Sequence, residues 1–153
     1  MPDNFDIQYE GKDGRKHRTV MLHRTVLGSI ERFMAILIEH FAGKLPLWLS
    51  PVQVRLITIA NTFDKYAEKV REKLLENGIR VDVDYKSESM GKKIRDAQID
   101  KIPLAVTIGE KEAKNQTLSI RTLDGKVKFD VKVNDFVEKV LKLINDRKIN
   151  VYI

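Results

Sequence analysis

Val52-Gln53-Val54-Arg55-Leu56-Ile57-Thr58-Ile59 is a nearly continuous apolar and β-branched run, the pattern of a strand covered on both faces. After Ile59 the period changes. Asn61 and Thr62 are candidate helix caps, and Tyr66, Ala67, Val70 and Leu74 then recur at helical spacing up to the stop signal Asn77-Gly78. Ile79, Val81, Val83 and Tyr85 alternate as on a second strand. Residues 91–101 read as a second helix, with Ile94, Ala97 and Gln98 inward and Pro103 as terminator. A third strand runs from Leu104 to Ile108. Residues 117–123 and 126–133 flank Asp124-Gly125, a strong two-residue hairpin signal. Asn134 is placed to cap a last helix carrying Phe136, Val137, Val140, Leu141 and Ile144 on one face. The order β-α-β-α-β-β-β-α predicts an α/β domain with a mixed, mainly parallel five-stranded sheet and three helices.

Upstream of that run the pattern is sparser. Phe5, Ile7 and Tyr9 alternate with polar residues, Gly11-Lys12-Asp13-Gly14 signals a turn, and residues 18–22 are expected to return as the second strand of a hairpin. Ile30, Phe33, Met34, Leu37 and Phe41 then form the stripe of an amphipathic helix that Gly43 would end. Two strands and one helix are too little for an independent core, so this part reads as the end of a larger domain. Between the two parts, Pro46 and Pro51 bracket Leu47, Trp48 and Leu49 in what reads as an extended linker with apolar anchors. The expected domains are residues 1–45 and 46–153.

Composition narrows the function classes. The 153 residues contain no cysteine, which excludes disulfides, thiol catalysis and a cysteine zinc site within this chain. No run approaches the roughly 18 apolar residues of a membrane span. Met1-Pro2-Asp3-Asn4 lacks the basic head and apolar stretch of a secretory signal. No membrane association and a cytoplasmic location are therefore expected. The net charge is +6, most of it in residues 46–153, which suits either a polyanionic partner or simply a well-solvated Lys/Glu surface. Neither common glycine-rich phosphate loop is present. Gly91-Lys92-Lys93 reads as an ordinary helix start, or as a helix N-terminus able to hold a phosphate. His17, His23 and His40 fit no compact metal motif.

The segment His23-Arg24-Thr25-Val26-Leu27-Gly28-Ser29-Ile30-Glu31-Arg32-Phe33 carries an oddity. Arg32 falls in the first turn of the expected helix, where the dipole favours anions, and a bound phosphate would resolve the conflict. The segment resembles motif 3 of the class II aminoacyl-tRNA synthetases, more narrowly the threonyl-tRNA synthetases. The resemblance continues through Leu47-Trp48-Leu49-Ser50-Pro51-Val52-Gln53-Val54, Gly78-Ile79-Arg80-Val81, Gly91-Lys92-Lys93-Ile94-Arg95, Lys101-Ile102-Pro103 and Gly109-Glu110-Lys111-Glu112, in the family's order over nearly the whole chain.

The resemblance implies a β-hairpin and helix from the end of a class II catalytic domain, followed by a class II anticodon-binding domain. It implies that Arg32 contacts the ATP γ-phosphate, that Glu31 orients the site, that Gly28 lets the backbone approach the nucleotide and that Ser29 lines the adenylate pocket. It makes His23 one of three protein ligands of a catalytic zinc that holds threonine. The other two ligands, motifs 1 and 2 and the editing region belong upstream and do not match here. Aminoacylation by this chain alone is therefore not expected, and ATP and zinc are expected only in the complete enzyme, a homodimer.

For the second domain the resemblance implies recognition of tRNA(Thr), chiefly the middle guanine and final uracil of the anticodon. Arg121 matches an arginine that reads a base edge, and Glu112 a carboxylate that accepts from a base. Glu112 could equally be a loop carboxylate paired with Lys111 or Lys114. Arg95 and Lys101 match basic contacts, although each also reads as part of a solvated helix face, and the family more often has arginine at the Lys101 position. Ser87 stands where asparagine is common. Tyr85 and Phe129 are the aromatic candidates for base stacking, but both read better as core. The alternative is a non-catalytic accessory protein that reuses the fold to bind nucleic acid or a protein; the intact Arg32 and His23 argue against it.

Overall fold

The computed structural model describes residues 2–151, in two compact units, Met1–Leu37 and Ile38–Ile153. In the first, β1 (Gln8–Glu10) and β2 (Lys16–Arg18) form an antiparallel hairpin, with Gln8 opposite Arg18 and Glu10 opposite Lys16. The expected return strand over residues 18–22 is thus displaced to Lys16–Arg18. The turn is tighter than expected. The Gly11 N–H donates to the Arg15 carbonyl at 2.8 Å, and Gly14 adopts a left-handed φ of +69°, open to glycine at little cost. Val20 and Leu22 are left exposed. Phe5 and Ile7 precede the strand, and Phe5, Ile7 and Tyr9 are all exposed. Helix α1 (Ile30–His40) forms where its stripe predicts, but none of its residues is buried.

In the second unit β3 (Val54–Thr58) is the centre of the parallel part of the sheet, with β4 (Val81–Asp84) on one side and β5 (Leu104–Ile108) on the other. β6 (Thr117–Thr122) and β7 (Val127–Lys132) add antiparallel strands, giving the order β4-β3-β5-β6-β7. The mixed five-stranded sheet is the one expected. The Asp124-Gly125 hairpin also forms, with Gly125 at φ +85° and the Thr122 N–H donating to the Lys126 carbonyl at 2.9 Å.

The two faces are covered unequally. On one, Leu56, Leu104, Val106, Ile108, Leu118 and Ile120 pack against Ala67, Val70 and Leu74 of α2 (Asp64–Glu76) and Phe136, Val137 and Val140 of α5 (Val133–Asn145). On the other, Ile57 and Ala105 meet Ala97 of α3 (Met90–Ile99) together with Ile102. That smaller cluster covers β3 and β5 and leaves β6 and β7 more open.

Several local expectations are corrected. Residues 44–51 are not extended. Pro46 heads a turn whose carbonyl accepts from the N–H groups of Leu49 and Ser50, and Leu47 is fully buried. The turn is tied to the sheet by buried Gln53, whose side chain donates to the Leu47 carbonyl at 2.8 Å and accepts from the Arg80 N–H at 2.9 Å. Asn61 and Thr62 do not cap α2. They lie in a 3-10 turn (Asn61–Phe63), and Phe63 takes the cap position without a side-chain bond. Asn134 lies inside α5, where Lys132 takes the cap position without a side-chain bond, and its side-chain amide oxygen accepts from the Lys73 ammonium. Gln98 faces solvent. Lys93 is buried in its place, because its stem packs inward while its ammonium donates to the Thr58 and Asp84 carbonyls, both at 3.1 Å. A fourth helix of this unit, α4 (Glu110–Asn115), was not expected. Four of its six residues are charged, so it has no apolar stripe to announce it.

Candidate nucleic-acid interface

The open face is defined by register. Arg55 pairs with Ala105, Ala105 with Arg121 and Arg121 with Val127, while Thr107 pairs with Ser119. Paired residues share a face, so Ala105, Thr107, Ser119, Arg121 and Val127 all lie on the α3 side of the sheet. Arg55 is occupied there, its guanidinium bridging Asp82 at 3.1 Å and Asp100 at 2.6 Å. Arg121 is different. It is half-buried and has no hydrogen-bond or ion-pair partner among the described residues.

Glu112 stands beside this face at the start of α4. Its Oε1 accepts from the Ser119 hydroxyl at 2.7 Å and its Oε2 from the Gly109 N–H at 3.0 Å. Burial alone would raise its pKa, but the Ser119 hydroxyl and the backbone N–H groups outweigh it and hold the carboxyl below its ordinary 4.5. Glu112 is therefore an ionised acceptor fixed in place, with lone pairs to spare. It lies in α4 rather than in a loop; Lys114 pairs with Glu110, and Lys111 adds only its nearby charge, a lesser cause of the lowered pKa than the Ser119 hydroxyl. Ser119 is the residue that the sequence reading missed. Its only signal was alternation with Arg121 on a strand.

The pKa shift gives a stability prediction. A carboxylate lowered in the folded state contributes stability above its unfolded pKa, and that contribution is lost as pH falls through the folded value. Glu112→Gln is expected to cost about 1 kcal/mol at pH 7. The difference from wild type should close as the pH falls below the ordinary 4.5 and through the lowered folded value. Urea melts of the two proteins at neutral and acid pH measure it.

The other expected RNA contacts distribute unevenly. Ser87 is exposed in the bend after β4, and Arg95 is exposed on α3 without a partner among the described residues. Lys101 lies beyond the far end of α3, at φ +55°, and its ammonium donates to the Ala42 carbonyl. The fold therefore brings Glu112, Ser119 and Arg121 together and turns Lys101 elsewhere. The Gly91-Lys92-Lys93 start of α3 is an ordinary cap: Ser89 accepts from the Lys92 N–H, Lys92 pairs with Glu88, and Lys93 is buried. Both aromatic candidates depart from the core reading. Tyr85 is exposed, and its hydroxyl donates to Glu68, a bond that with some burial pushes its pKa up to about 12. Phe129 is 68% exposed.

In the first unit the expected nucleotide residues gather at the start of α1. Gly28 has φ +67° with open space where a Cβ would stand. The Ser29 hydroxyl donates to Glu31 at 2.5 Å, which holds the Glu31 carboxyl below its usual range. Arg32 is exposed without a partner among the described residues. One arginine, one glycine and a serine–glutamate pair do not enclose a nucleotide. His23 is exposed, and among the described residues no three His, Cys, Asp or Glu side chains group as a metal site. A single imidazole does not fit a zinc centre.

Residues 53–143 match the family model described as an anticodon binding domain. The chain belongs to the anticodon binding domain family. The match spans the sheet from β3 to β7, helices α2, α3 and α4, and most of α5. The wider sequence is similar to the threonine–tRNA ligase of Desulforapulum autotrophicum, 51% identical over 98% of this chain and 24% of that protein. It is also similar to the Aquifex aeolicus threonine–tRNA ligase, 47% identical over 97% of this chain and 23% of that protein. The chain thus spans about a quarter of the length of these curated relatives. Among solved structures, the RNA binding domain of threonyl-tRNA synthetase from Cryptosporidium parvum superposes with a TM-score of 0.75, at 33% identity, over 92% of this chain and 36% of that one. In this anticodon binding domain, Glu112 and Arg121 both fall within the matched residues.

Proposed function

We propose that the chain reads the anticodon of tRNA(Thr) as part of a threonine–tRNA ligase. The observation that carries this reading is the Arg121 guanidinium, unpaired among the described residues, on an open sheet face beside a fixed, ionised Glu112. An arginine fork matches the O6/N7 edge of guanine, and a carboxylate accepts from guanine N–H donors. Together they suit the middle guanine of the anticodon. Single-stranded loop bases present these edges freely. Ser87 and Arg95 flank the site as further contacts, whereas Lys101, held by the Ala42 carbonyl, adds only its charge to the general attraction for RNA phosphates.

On this reading residues 1–45 belong to the end of the catalytic domain and residues 46–153 form the anticodon-binding domain. Arg32, Glu31, Ser29 and Gly28 would meet ATP, and His23 a zinc ion, only when the rest of the catalytic domain completes those sites. The complete enzyme would join threonine to ATP as an adenylate and transfer it to tRNA, working as a homodimer in the cytoplasm. The chain alone would not aminoacylate.

The test is equilibrium binding to threonine tRNA and to the same tRNA with its middle anticodon guanine replaced, each at two salt concentrations. A loss of about 1–3 kcal/mol on replacement supports the reading. Equal, strongly salt-sensitive binding would reduce the interaction to backbone electrostatics and contradict it.

A further inference from the structure

We infer that Phe129 is a stacking platform for a base of the anticodon loop, an inference that rests on the reading above and adds a residue to its site. Phe129 lies on β7, the edge strand of the sheet, two residues on from Val127. Val127 pairs with Arg121, so Phe129 falls on the face of Arg121 and alongside Ser119, where the pairing slips between Leu118 and Ile120. Diagonal neighbours across two strands are roughly 7–8 Å apart, within reach of an aromatic ring. Alternation along β7 thus sets Phe129 opposite Ser119, whose hydroxyl fixes Glu112, and diagonal to Arg121, whose guanidinium has no partner among the described residues. Asp130, at φ +56°, marks the irregularity that comes after it on the strand.

A lone exposed phenylalanine needs no explanation by itself. This one shares its sheet face with a cationic and an anionic group suited to base edges, and it adds an apolar plane to them. Every nucleobase has a face to lay on it. Arg121 and Glu112 then read the edge of one base while Phe129 holds a neighbouring base, so the contact adds affinity without sequence preference.

Binding of the full chain to the threonine anticodon stem-loop RNA tests this, with Phe129→Ala, Phe129→Leu and Phe129→Trp beside wild type. Phe129 is largely exposed, so all three should melt like wild type by circular dichroism. Phe129→Ala should weaken binding on the order of 5- to 100-fold, Phe129→Leu nearly as much, and Phe129→Trp should retain affinity with its indole fluorescence quenched by RNA. The ratio of affinities for the native and guanine-replaced loops should stay at its wild-type value in every variant. Unchanged affinity of Phe129→Ala, in a wild-type background that still discriminates the guanine, overturns the stacking role alone. Absence of discrimination in the wild-type chain overturns the anticodon reading itself.

Discussion

Arg121→Lys is expected to weaken binding to the threonine anticodon stem-loop by about 1–3 kcal/mol, and the loss should fall on the loop that carries the middle guanine. Lysine keeps the charge and most of the length, so the general attraction of a +6 chain for RNA is preserved. What it lacks is the planar fork that engages two acceptors at once. No described residue pairs with Arg121, so the substitution leaves no orphaned partner and should cost little stability. The diagnostic outcome is therefore convergence. The gap in affinity between native and guanine-replaced loops should narrow in Arg121→Lys to the share that Glu112 supplies, and the salt dependence should stay close to that of wild type. A parallel loss of affinity for both loops would instead make Arg121 a phosphate contact. Affinity titrations on the two loops separate these outcomes.

The largest expected stability effect lies on the opposite face. Phe136→Ala should destabilise the second unit by about 3–5 kcal/mol, the usual range for emptying a buried aromatic site. Phe136 is among the largest fully buried side chains and joins α5 to the cluster that includes Leu118 and Ile120 of β6. Domains are stable by only about 5–15 kcal/mol, so this one truncation removes a large share. Because α5 packs behind the strand that carries Ser119 and Arg121, loosening it should also blunt RNA binding. Guanidinium melts followed by circular dichroism measure the first effect.

How much of this was legible in the sequence depends on the kind of signal. The β-branched run at Val54–Thr58, the Asp124-Gly125 turn and the stripe through Phe136, Val137 and Val140 are local and periodic, and each forms where its pattern indicates. The failures are non-local. Lys93 reads only as a basic residue at a helix start, yet two strand-end carbonyls make its burial possible. Residues 44–51 read as extended because their prolines are visible, whereas the Gln53 side chain that ties the turn down is visible only in three dimensions. α4 is capped by the bond from the Gly109 N–H to the Glu112 carboxylate and, at six residues, is too short to show a period.

For the site, the family resemblance supplied Arg121 and Glu112, and the residues alone could not have. An arginine in a strand and a glutamate after a glycine carry no signal of convergence. The sheet register, which sets Ser119 between them, supplies it. The aromatics were misread for the same reason. Alternation says that Phe129 has a face but not whether anything covers it, and β7 is an edge strand with no helix on that side of it.

If the chain reads the anticodon as proposed, RNA binds on the α3 side of the sheet, around Glu112, Ser119 and Arg121. The most direct measurement is a nuclear magnetic resonance titration of the labelled chain with the threonine anticodon stem-loop. The largest amide shifts are expected on Thr107, Glu112, Ser119, Arg121 and Phe129, and they should shrink when the middle guanine is replaced. Shifts concentrated instead on the groove lined by Lys69, Lys73 and Asn134, on the α2 and α5 side, would contradict it.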